Sequence, residues 1–262
     1  MIDKAMLKIG VTQIKNSLNV RENFQTIKKA LKIFASSDVD LILFPECGLS
    51  GFSGKLNGNT YEALYNYFQE VEKWSLKYRK YVFLPSAITK DQVNYNSGYL
   101  FGNDKPIQFF KLGLTKSERT FFSTPTHETK KIFKIKGYNL ALVICFEAEL
   151  SFDQYFKEGQ VDVVLWPGYW GWQKGESWKE KKISGEANIV YENMTKWKIP
   201  LIQANFAFND LREHRGKGPH GMSMFVNSDN TLAGSGDYDS ESCYEVYVSD
   251  NEIKYCQKLG SL

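Results

Sequence analysis

The chain has 262 residues, 42% of them hydrophobic, and its 33 Lys and Arg against 30 Asp and Glu leave a formal charge of +3. That length and apolar content suit one α/β unit with a large core, so residues 1–262 are expected to form a single domain. Basic residues are interspersed with acidic ones rather than gathered into an arm, which argues against nucleic-acid binding, and no apolar run is long enough to span a bilayer.

The first residues, MIDKAMLKIGVTQI, read directly as a strand at Leu7–Ile14 and carry no basic-then-apolar export signal. Asn19 and Glu22 then form an Asn-x-x-Glu helix start, after which Phe24, Ile27, Leu31 and Phe34 share one helical face. Leu41–Phe44 lacks polar alternation and reads as a fully buried strand ending at Pro45-Glu46. A second helix is expected from Thr60, with Leu64, Phe68, Val71, Trp74 and Tyr78 in phase, followed by a strand at Tyr81–Pro85. Tyr95–Lys111 reads as a hairpin around Gly-Asn-Asp-Lys-Pro. Buried strands follow at Leu140–Ile144, Val161–Trp166 and Pro200–Ala204, and the last sixty residues add strand-like SMFV and YEVYV. The four cysteines, Cys47, Cys145, Cys243 and Cys256, have no CxxC spacing, so free thiols in the cytoplasm and no metal site are expected.

In an open α/β sheet, ligands bind beyond the carboxyl ends of strands. Glu46 follows LILFP, Lys111 follows PIQFF and Cys145 follows LALVI, so the three emerge from one edge if those strands are neighbours. Singly, each has an ordinary explanation as a turn acid, an edge charge or a small core residue. Together they supply a nucleophile, a proton shuttle and a cation for an oxyanion, which is what attack on an amide carbonyl needs.

Three segments in this order, LILFPECGLSGF, FFKLGLTKSERTFF and LALVICFEAELSF, resemble the nitrilase superfamily of carbon–nitrogen hydrolases. YNSGYLF, VDVVLWPG, PLIQANF and GMSMFVNSDNTLAGSGD add to the resemblance, which runs over almost the whole chain. It implies a four-layer α-β-β-α sandwich, a homodimer or larger assembly, a small amide-type substrate and no cofactor. It also implies Glu46 as general base, Lys111 as the oxyanion lysine and Cys145 as nucleophile. Glu118, seven residues after Lys111, corresponds to a second glutamate that orients the lysine and substrate, and the Phe146 N–H to a second oxyanion donor. Lys116 competes with Lys111, which is preferred because it directly follows the strand.

The chain departs from common family patterns in two places: Cys145-Phe146-Glu147-Ala148-Glu149 replaces Cys-Tyr-Asp-x-Arg, and Lys111-Leu112-Gly113-Leu114 replaces Lys-x-His-Leu. Glu147, Tyr169 and Trp170 are candidate substrate contacts, Tyr169 and Trp170 suiting a pocket wall or a subunit interface equally, with Trp166 expected in the core and Trp172 in the same aromatic run. Competing readings are acyl transfer to an amine, an inactive binding protein on this fold, and a Cys–His hydrolase using His214 or His220.

Overall fold

The computed structural model describes residues 4–53, 59–171, 177–179, 188–208 and 221–262; Trp172, His214 and His220 lie outside these described residues. Its first half runs β1 (Leu7–Gln13), α1 (Val20–Ala35), β2 (Leu41–Leu43), α2 (Tyr61–Tyr78), β3 (Tyr81–Lys90), β4 (Val93–Phe101) and β5 (Ile107–Phe110). The second half runs β6 (Ile132–Ile135), β7 (Tyr138–Leu142), β8 (Val163–Pro167), α3 (Ile189–Trp197), β9 (Leu201–Ala204), β10 (Met224–Val226), β11 (Leu232–Ser235), β12 (Ser242–Ser249) and β13 (Glu252–Ser261).

Two sheets result, one ordered β13-β12-β1-β2-β3-β4-β5 and the other β11-β10-β9-β8-β7-β6. The side-chain period of two distributes each strand between layers. Leu41 and Leu43 of β2 point into the core between the sheets, where they join Ile9, Phe83, Leu140, Leu142, Val163 and Ile202. Ile42, between them, turns outward to meet Phe24, Ile27 and Phe34 of α1 and Phe68 and Val71 of α2. On the opposite outer face, Ala141 and Val164 meet Val190 and Met194 of α3. The layers are therefore α-β-β-α. Among the described residues no helix is long and apolar enough to cross a membrane.

Both long helices start where side chains can take up orphan N–H groups. The Asn19 side chain accepts from Arg21 and Glu22 N–H, and the Thr60 hydroxyl accepts from Ala63 N–H at 3.2 Å. At Asn19 the return arm of the capping box runs through Ser17. Its hydroxyl accepts the Asn19 N–H at 3.1 Å and donates to Glu22 at 2.7 Å.

Several elements differ from the sequence expectation. β3 continues through Pro85 to Lys90 because its antiparallel register with β4 persists on both sides, with Pro85 opposite Gly98. β7 stops at Leu142 rather than Ile144. Val143 N–H still reaches Leu165 at 3.0 Å, but Ile144 N–H leaves the ladder for the Glu147 carboxylate at 2.6 Å. The helix α3 and the strands β6, β11 and β13 lacked a distinct signal. α3 has only nine residues, and β13 is an edge strand with few buried positions.

Phe109 clamps the two sheets at one end, with its ring 5.8 Å from Phe83 in its own sheet and 5.6 Å from Phe133 in the other. Replacing Phe109 by alanine should cost about 3–5 kcal/mol of stability, read as a lowered urea midpoint at constant m-value. A loss below about 1 kcal/mol, within reach of a surface change, would show that the clamp is not needed.

Candidate active site

The three strand-end residues converge, but not from neighbouring strands of one sheet as the sequence reading assumed. β2 and β5 lie in the first sheet with β3 and β4 between them, and β7 lies in the second sheet. β5 is antiparallel to β4, which is antiparallel to β3, so β5 and β2 end at the same edge. Glu46 and Lys111 thus approach from one sheet and Cys145 from the sheet facing it.

Lys111 sits directly after β5, held by its N–H to Asn96 O at 2.8 Å. Its fully buried ammonium donates to Glu46 Oε1 at 2.7 Å and Glu118 Oε1 at 2.5 Å. Burial alone would push the ammonium down, but Glu46, Cys145 and Glu118 outweigh it and hold the pKa well above its ordinary value. Lys116 is exposed.

Glu118 opens a short 3-10 turn, Glu118–Thr120. Its Oε2 accepts the Thr115 N–H at 2.8 Å, while its own N–H donates to the Thr115 hydroxyl at 3.1 Å, so the carboxylate is fixed on both sides.

Glu46 is fully buried, and its Oε1 also accepts from the Asn96 side-chain amide at 2.7 Å. Oε2 carries no hydrogen bond of ordinary geometry among the described residues, and the Cys145 thiol acts on this carboxylate to lower its pKa. Burial, followed by opposition from Lys111 and reinforcement from Glu118, leaves Glu46 above its ordinary value. A carboxylate with one oxygen held and one available has the geometry of a base.

Cys145 begins the 3-10 turn Cys145–Glu149 with a φ of 49°, a region that side chains other than glycine rarely adopt. Its carbonyl accepts the Trp166 indole N–H at 2.9 Å, and its Sγ lies 3.5 Å from Tyr169 O. At the end of the turn, Asn193 of α3 donates to Ala148 O and Leu150 O, both at 2.8 Å. Burial and the Glu46 charge push the thiol pKa well up. These surroundings favour the thiol of Cys145 over its thiolate.

Phe146 is half-buried in the same turn. Glu147, expected near substrate, is instead fully buried beneath the site. Its Oε1 accepts from Leu112 N–H at 2.5 Å and Gly113 N–H at 3.1 Å, and its Oε2 from Ile144 N–H at 2.6 Å and from the Lys130 ammonium. The two aromatic candidates part company. Tyr169 stacks on Phe52 with centroids 4.5 Å apart and meets Phe206 edge-on, beside the nucleophile. Trp170 packs with Trp166 and Trp178 in the outer core layer and donates its indole N–H to Glu149 at 2.9 Å. Asn205 grips the Trp170 backbone from both sides, accepting its N–H at 3.1 Å and donating to its O at 2.9 Å.

Asn96, Lys130 and Asn205 escaped the sequence reading as site residues. Asn96 and Asn205 stand inside YNSGYLF and PLIQANF, where a polar residue in an otherwise buried strand was a usable signal. Lys130 stands in the polar run HETKK and carried none. Among the described residues no group of three or more His, Cys, Asp or Glu is placed to hold a metal ion.

No curated protein matches the chain. Among solved structures it is similar to an amidase from Nesterenkonia sp., at 15% identity and a TM-score of 0.75 over 94% of this chain and 91% of that one. A variant of that amidase in which the active-site cysteine carries the acetamide moiety of fluoroacetamide aligns with a TM-score of 0.72 and 15% identity over 93% and 91% of the two chains. The glutamine-dependent NAD+ synthetase from Acinetobacter baumannii aligns with a TM-score of 0.77 and 17% identity over 98% of this chain, which spans only 49% of the synthetase. These likenesses bear on the fold, which they share. The pattern of the carbon–nitrogen hydrolase family matches residues 8–155, an interval containing Glu46, Lys111, Glu118 and Cys145. The chain belongs to the carbon–nitrogen hydrolase family.

Proposed function

We propose that the protein hydrolyses a small amide through a thioester on Cys145. The observation carrying this reading is the buried Glu46–Lys111–Glu118 network beside a thiol whose own surroundings disfavour its ionisation. Glu46 removes the thiol proton as Sγ attacks the carbonyl carbon, and the oxyanion forms against the Lys111 ammonium and the Phe146 N–H. Glu46 then passes its proton to the departing amine, leaving the acyl thioester. It next deprotonates a water, which attacks the thioester, and returns that proton to the departing Cys145 sulfur as the acid is released.

In this reading Glu118 orients Lys111, and the Phe52–Tyr169 stack walls the acyl side of the site. Glu147 and Trp170, saturated by internal contacts, support the site from behind. The protein is taken to act as a cytoplasmic homodimer or larger assembly on a free small molecule, without a cofactor or nucleic acid. Free thiols at all four cysteines and the mixed surface charge agree with that setting.

Competitive labelling of the four cysteines by iodoacetamide, followed by peptide mass spectrometry, tests the activation without a known substrate. Cys145 should label fastest, and Glu46→Gln or Lys111→Ala should slow it by about 10²-fold or more, the usual contribution of a positioned base. Equal labelling of Cys145 and Cys256, or indifference to both substitutions, would remove the hydrolase reading.

The acid limb of the rate profile should lie above pH 4.5, because burial and Glu118 raise Glu46 from that ordinary value and protonation below the limb abolishes the base. Glu118→Gln removes a charge that raises Glu46, so the limb should move to lower pH while the maximal rate falls. A limb that stays in place or moves upward would show that Glu46 is not the group titrating.

A further inference from the structure

One buried ion pair touches both arms of the site without belonging to the catalytic groups. The Lys130 side chain is 2% exposed and that of Glu147 is 0% exposed, and the two are in direct contact. Lys130 also donates to Phe110 O at 3.0 Å, immediately before Lys111, and lies over the Tyr155 ring at 5.8 Å. Glu147 takes the N–H groups of Leu112 and Gly113 immediately after Lys111, together with that of Ile144 immediately before Cys145. Every backbone neighbour of the lysine and the near neighbour of the nucleophile are thus tied to one carboxylate–ammonium unit.

Chemistry restricts what can stand there. Among the described residues four donors and no acceptor bond to the Glu147 side chain, so both of its terminal atoms must be acceptors. Glutamine offers only one and would turn an N–H group toward another donor. The approach is also close at Gly113, where a side chain would displace its neighbours. A Cβ there would meet Leu150 Cδ1 at 2.6 Å, the Tyr155 hydroxyl at 2.8 Å and Glu147 Cγ at 3.0 Å. The two departures from the common family pattern, Gly113 and Glu147, are parts of one contact.

We propose that Lys130 and Glu147, closed onto Gly113, are positioning residues that set the separation between the Lys111 ammonium and the Cys145 thiol. This rests on the hydrolase reading above. Ile144 N–H is drawn out of the β-ladder by this carboxylate and Cys145 follows it with positive φ, so the pair also sustains the strained turn that presents the thiol.

Time-dependent alkylation of Cys145 by iodoacetamide separates positioning from binding, because the limiting rate kinact reports attack by Cys145 and KI reports occupancy. Glu147→Gln should lower kinact by about 10²-fold, the penalty of a displacement near 1 Å, with KI within about twofold, inside the few tenths of a kcal/mol that separate indirect effects. Lys130→Met should lower it by about tenfold, as for one lost charge-assisted bond, and the double variant should be no slower than Glu147→Gln alone. Gly113→Ala, which keeps both charges, should also lower kinact.

A raised KI with unchanged kinact in Glu147→Gln would make Glu147 a substrate contact and overturn the proposal. So would unchanged kinact in Lys130→Met and Gly113→Ala, or loss of the native circular dichroism in all of these variants, which would make the pair a fold determinant. If wild-type Cys145 labels no faster than Cys256 with iodoacetamide, the hydrolase reading falls first and the inference with it; normal wild-type labelling with insensitive variants sinks the inference alone.

Discussion

Everything about this site depends on a lysine ammonium buried between two carboxylates from different loops. Removing a charge from water costs several kcal/mol, and only close partners return it. Lys111 obtains that compensation from Glu46 and Glu118 at once, so the three groups are stable only together. The arrangement leaves one excess negative charge before the thiol ionises. Burial first, and that excess through Glu46 second, push the Cys145 thiol well above its ordinary pKa.

The surrounding structure serves to hold that cluster still. Asn96 binds the Lys111 backbone and the Glu46 side chain from one strand. Thr115 holds Glu118, while Trp166 and Asn193 hold the cysteine turn from the second sheet and its covering helix. The sheets themselves are stitched near this edge, where Ile14 bridges Phe206 and Ala207 N–H reaches Ile14 O at 2.9 Å. Each bond is ordinary in strength. Their common feature is that they fix backbone next to a reactive group, which is where small displacements matter most for rate.

Legibility in the sequence followed the same division. Reactive residues at the ends of apolar runs were visible because a buried strand must end somewhere and its last residue has a defined place. The four layers came through the family resemblance, whereas periodicity alone reached only α/β. The pairing of strands was not readable: residues after β2, β5 and β7 suit one sheet or two, and only long-range packing decides. Glu147 reads as a substrate contact because its spacing from Cys145 puts it near the site, and that spacing says nothing of the four donors that converge on it. Lys130 was invisible for a related reason, since its partner is seventeen residues away across a turn. Short α3 and edge strand β13 have too few buried positions for a period to emerge.

The placement of Glu46 and Lys111 on one sheet and Cys145 on the other has a consequence for how the site comes apart. Neither half of the chain holds a complete set of reacting groups, and only the apolar layer between the sheets keeps the two sets in register. Reactivity at Cys145 is therefore a reporter of global cooperativity. It senses the register of the interior layer, a property of the whole fold that no single helix or strand carries.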